Sequence, residues 1–140
     1  MKTLRVLFPV LCVAVTGWVS SGCGAHKSEL KPAQSVPAAK GEVKAKEGDN
    51  GNTMIEVKVE HLAPANALQD TASTYVVWVR PRTGSTVPQN VGALSVNDDR
   101  EGSLETVTPL KEFDLLVTPE PSASVTEPSG APVFTAVVER

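Results

Sequence analysis

The sequence predicts an all-β fold: a small antiparallel β-sandwich over residues 53–140, preceded by an export signal and a flexible tether. Three features point to it. Residues 53–60, TMIEVKVE, place Ile55, Val57 and Val59 on one face and Glu56, Lys58 and Glu60 on the other, as a strand with one wet side requires. Residues 74–80, TYVVWVR, are apolar on both faces and rich in β-branched and aromatic side chains, which suits a central strand covered on both sides. Eleven prolines and ten glycines are spread over much of the 140 residues, a density that fits turns and linkers better than a helical bundle.

The chain begins with a short basic segment, Met1 to Arg5, followed by an apolar run from Val6 to Val15. These are the n-region and h-region of an export signal. Extended to Val19, the run is about fourteen residues, short of the roughly 20 that a spanning helix needs. Next comes Val19-Ser20-Ser21-Gly22-Cys23, with small residues where a peptidase needs unobstructed backbone. This segment resembles the bacterial lipoprotein signal, the lipobox, although Ser20 stands where that family prefers a Leu-like residue. The resemblance implies cleavage before Cys23, diacylglycerol on its thiol, and a further acyl chain such as palmitate on the freed amine. Residues 1–22 are then the signal peptide, and Cys23 is both the mature N-terminus and the lipid attachment site. Cys12, the only other cysteine, leaves with the signal, so the mature chain has no internal disulfide. The alternative is cleavage after Ala25, which discards Cys23 and releases a soluble, secreted protein. Gly24 after the cysteine implies, by the same resemblance, an outer-membrane location facing the periplasm or the cell surface.

Residues 23–52 are expected to be a lipidated N-terminus and flexible linker. Residues 24–52 hold five lysines, four acids, two prolines and no aromatic, too little apolar surface to offset the entropy of ordering. Fully stretched, such a linker reaches about 95 Å. Strands are expected at 53–60, 74–80, 91–96, 104–107, 113–118 and 133–138, with a turn at 82–85, a hairpin turn at 97–102 and a long loop at 119–132. Six strands at short intervals match an immunoglobulin-like sandwich.

Tyr75-Val76-Val77-Trp78-Val79, Gly92-Ala93-Leu94, and Leu116-Val117-Thr118-Pro119-Glu120-Pro121 leading to Pro128-Ser129-Gly130 occur in an order that resembles the C-terminal extracytoplasmic β domain of the anti-sigma-K factor family. The resemblance covers roughly residues 54 to 140 and implies an all-β sandwich. Family members that restrain a sigma factor carry a cytoplasmic helical domain and a spanning helix ahead of this module, and neither is read here, so sigma-factor binding is not implied. Ser122-Ala123-Ser124 also replaces the family's Gly-Gly-Ser.

Thirteen basic residues stand against sixteen acidic ones, and two of the bases precede Cys23, leaving eleven against sixteen. Without a Lys/Arg cluster, that balance gives no electrostatic footprint for nucleic acid. His61 is the only histidine of the β domain, so neither a two-histidine metal site nor a Ser-His-Asp constellation is written in it. Asp98, Asp99 and Glu101 share a turn but lack the alternate spacing of a calcium loop, so the turn is read as a solvated hairpin. Tyr75 and Trp78 fall on opposite faces of one strand, which favours packing over a ligand platform. The expectation is therefore a non-catalytic binding or sensory module with no cofactor, no metal and no catalytic residues. It is held to the envelope membrane by lipid on Cys23, with a protein partner possible. The alternatives are a structural or assembly protein of the envelope, or an enzyme using carboxylates around Asp98 to Glu101, or Asp114 and Glu120.

Overall fold

The structure, a computed structural model, describes residues 24–140. The expected signal peptide and Cys23 lie outside the described residues. The described chain is all-β: β1 (His26–Pro32), β2 (Lys40–Glu47), β3 (Thr53–Glu60), β4 (Thr74–Pro81), β5 (Gln89–Val96), β6 (Gly102–Thr108), β7 (Glu112–Glu120) and β8 (Phe134–Glu139). A 3-10 turn at Asp49–Gly51 and the one-turn helix α1 (Ala65–Leu68) complete it. Among the described residues no helix is long and apolar enough to cross a membrane.

The strands close into an antiparallel barrel in the order β1-β2-β3-β6-β5-β4-β7-β8, with β8 returning to β1. This corrects the expected immunoglobulin-like sandwich of six strands. The six predicted strands are present as β3 to β8, but two more precede them and supply the wall that closes the sheet. Two seams in that wall are short. Lys31 and Pro32 meet Thr135 and Phe134 at one, and Ser95 and Val96 meet Ser103 and Gly102 at the other. The long ladders lie between these seams, so the barrel keeps two broad faces.

The expected flexible linker is also corrected, because most of residues 24–52 is folded as β1 and β2. Its composition misled for a physical reason. Only Leu30, Val43 and Ala45 of these two strands point into the core, and all three are fully buried. Their partners are supplied by the far side of the barrel and are invisible in a local window. Gly41 leaves room for Leu30: a Cβ at that position would lie 2.6 Å from the Leu30 Cδ1. The alternating lysines and glutamates form the wet face, where Lys44 lies 3.2 Å from Glu42 and 3.5 Å from Glu56, and Lys58 lies 2.6 Å from Glu56. Those two carboxylates raise the Lys44 pKa, the hydrogen bond to Glu42 most of all.

Two connections cross the ends of the barrel, as the strand order requires. Residues 109–111 join β6 to β7 across the end at which β1 begins, here the proximal end, and the Leu110 carbonyl accepts a hydrogen bond from the buried Thr53 hydroxyl at 2.7 Å. Residues 61–73 join β3 to β4 across the opposite, distal end and bury Leu62, Ala65 and Ala72 in its mouth. The interior between them is filled by Leu30, Ile55, Tyr75, Phe113, Leu115 and Phe134 among others, the packed state expected of an eight-stranded barrel.

Candidate functional site

The distal mouth is framed by two loops held together through their backbones. The β5–β6 turn is built on Asn97, whose amide donates to the Glu101 carbonyl at 2.8 Å and whose side-chain oxygen accepts from the Glu101 amide at 2.9 Å. Arg100 in that turn and His61 just after β3 both adopt the left-handed conformation, at φ 65° and 57°. The next amide after His61, that of Leu62, donates to the Arg100 carbonyl at 3.1 Å. Between these loops and the start of β4 runs a groove of about 760 Å³. Its floor rests on the buried Leu62, Tyr75 and Leu94, and most of its exposed lining is polar, with Asn66, Asn97, Asp98 and Arg100 at the rim. Barrel mouths are a common place for a ligand site, and polar groups that converge on a cleft fix a ligand's orientation there. The Tyr75 hydroxyl donates to the Ala63 carbonyl at 2.5 Å, and burial pushes its pKa up to about 12. The groove therefore offers shape, hydrogen bonds and one exposed charge of each sign.

A second polar cluster lies on the outer face of β4 and β7. Trp78 and Val76 point outward yet are fully buried, because residues 121–133 fold back over them. Asn90 holds that loop by donating to the Ala123 and Val125 carbonyls at 3.0 and 2.8 Å. Beneath it the Trp78 indole donates to the Thr118 hydroxyl at 2.8 Å, and that hydroxyl donates to Glu120 at 2.6 Å. Glu120 is fully buried, and among the ion pairs of the described residues it has no cation partner. It accepts instead from the Ser129 amide at 2.9 Å, the Ser129 hydroxyl and the Gly130 amide at 3.3 Å. Burial alone pushes its pKa up, but the donors from Ser129, Thr118 and Gly130 outweigh it and hold the carboxyl below its ordinary value. The Tyr-x-x-Trp, Val-Thr-x-Glu-Pro and Pro-Ser-Gly elements thus meet in space, and their polar groups staple a loop to the barrel wall.

The residues singled out in the sequence are scattered. Cys23 lies outside the described residues. His61 is exposed at the end of β3, and Asp98, Asp99 and Glu101 are exposed in the Asn97 turn. Asp114 is paired with Arg80 at 2.7 Å and lies 3.8 Å from Arg82, about a barrel's length from the distal groove. Tyr75 points into the core and Trp78 outward, as strand parity requires. Among the described residues no three His, Cys, Asp or Glu side chains are grouped so as to hold a metal ion. The groove itself was not read from the sequence, since it is assembled from residues 62–75 and 94–100, which neighbour one another only after β6 inserts between β3 and β5. Gly92, in the first strand of the β5–β6 hairpin, occupies a bulge at φ 140°, where its amide donates to the Asn90 side-chain oxygen at 3.0 Å. No family model, no curated protein and no solved structure matches the chain.

Proposed function

We propose that this chain is a lipoprotein of a bacterial cell envelope, anchored by lipid on Cys23, whose β domain is a non-catalytic module that binds its partner in the distal groove. The observation that carries the reading is the segment Val19-Ser20-Ser21-Gly22-Cys23 behind an apolar run, with the first strand starting at His26. Cleavage before Cys23 leaves every strand of the barrel in the mature protein. Two or more acyl chains make a stable anchor where a single chain gives a marginal one. The groove supports a binding role, because its one buried ionisable group, Tyr75, is already committed to Ala63 and stays protonated far above neutral pH. The likeness to the extracytoplasmic module of the anti-sigma-K factor family supports a sensory or partner-binding task in the envelope, without sigma-factor binding. The test is the mass of the mature N-terminal peptide. A diacylglyceryl, N-acylated Cys23 is the expected result, whereas an unmodified chain starting at His26 overturns the anchor and makes the protein soluble.

A further inference from the structure

The large apolar side chains left exposed among the described residues are Met54, Val87, Val107 and Val137, at 39, 60, 53 and 50 %. They are not spread evenly. Met54 is the second residue of β3 and pairs directly with Val107, the last but one of β6. Val87 lies in the connection from β4 to β5, which turns at the proximal end, and Val137 is two residues from the end of β8. All four sit at or within three residues of the proximal end. The distal end has most of the loop surface, residues 33–39, 61–73, 97–101 and 121–133, and none of these side chains. The proximal end is also where the chain comes from Cys23. Two residues, Gly24 and Ala25, separate Cys23 from His26, a reach of about 10 Å at most over three Cα steps. Ala25 already lines a shallow groove of about 370 Å³ with Met54, Val107 and Lys46.

We infer that the proximal end of the barrel rests on the lipid bilayer, with Met54, Val107 and Val87 at the boundary between headgroups and acyl chains. The inference rests on the lipid anchor proposed above, since a lipid on Cys23 leaves the barrel no slack to stand away from the surface. Lys46, in register with Met54, lays its stem along the apolar pair and carries its ammonium to the level of the phosphates. Of the other charges there, Arg140 pairs with Glu47 at 3.5 Å and Arg82 with Glu139, while Asp49, Glu105, Lys111 and Glu112 stand outside ion pairs among the described residues and add no excess of cation. The contact is therefore driven by apolar burial and not by anionic lipid. It also orients the molecule: the distal groove opens away from the membrane, about 20 Å above it, the rise of an eight-residue strand at barrel tilt.

The experiment uses the full-length lipoprotein with single cysteines introduced by Met54→Cys, Val87→Cys, Val107→Cys or Asp98→Cys. Each is labelled with a polarity-sensitive fluorophore after lipidation has blocked Cys23, and reconstituted in phosphatidylcholine vesicles. Probes at 54, 87 and 107 are expected to shift to the blue and to lose intensity when the vesicles carry chain-brominated lipid, while the probe at 98 responds to neither. Vesicles that float with the protein while all four probes remain in water overturn the surface but leave the anchor standing. Protein with an unmodified Cys23 that fails to float overturns both. Near-ultraviolet circular dichroism of each variant confirms that the barrel is folded before its probe is read.

Discussion

Glu120 shows how one side chain can carry a loop. Its carboxylate collects four donors from Thr118, Ser129 and Gly130, and burial magnifies both their attraction and the cost of losing them. Glu120→Ala is expected to cost about 2–3 kcal/mol, because it leaves buried donors without an acceptor, and Glu120→Gln about 1 kcal/mol. The folded pKa lies below the ordinary 4.5, so the unfolded chain binds the proton first as pH falls. The wild type's advantage over Glu120→Gln is then full above pH 4.5 and shrinks as pH drops through the folded value. Urea unfolding at a series of pH values measures it, and a gap that stays constant into acid would contradict this role. Tyr75 titrates with the opposite sign. It is the only tyrosine in the chain, so near-ultraviolet absorbance follows it alone. Ionisation is expected near pH 12 and not near 10, with stability falling as pH rises above 10; a transition at 10 in the folded protein would mean that Tyr75 is not buried.

At the scale of elements, alternation was legible wherever both faces of a strand carried a strong signal. β3 was readable because valine and isoleucine alternate with charge, and β4 because both of its faces are apolar. The second face of β4 is covered by residues 121–133, a loop that only tertiary structure brings across it. β1 and β2 were illegible because their inward positions are few and small, so the same alternation read as a solvated tether. Their contribution is nevertheless large. Burying Leu30 and Val43, with Val36 of the connection between the two strands, is worth about 1.5–3 kcal/mol each, a sum comparable to the roughly 5–15 kcal/mol that holds a typical domain together. A chain beginning at Thr53 is therefore expected not to fold as a monomer, since it exposes the edges of both β3 and β8. A chain beginning at Gly24 is expected to fold. Trp78 is the sole tryptophan in both, and its emission should be blue in the longer chain and red-shifted in the shorter one. Equal blue emission from both would show β1 and β2 to be dispensable.

For the whole molecule, closing the sheet has two consequences. It removes edge strands, and it turns one chain into an object with two unlike ends: an apolar-rimmed one beside the N-terminal segment, and a looped one that carries the groove. The all-β character and six of the eight strands were determined by the sequence alone, and the proposed export segment and lipid site at Cys23 are read only there. Each of these is written in contiguous residues, as a hydrophobic run, a small-residue cluster or a period of two. Closure of the barrel, the folding of residues 26–47, the stapling of residues 121–133 by Glu120 and the groove at the distal mouth were decided only by tertiary structure. Each depends on partners far apart in the chain: Leu30 and Val43 find their core across the barrel, Ser129 and Gly130 find Glu120, and Leu62 finds Arg100. Local pattern can declare which face of a strand avoids water, but only the closed sheet determines what that face meets.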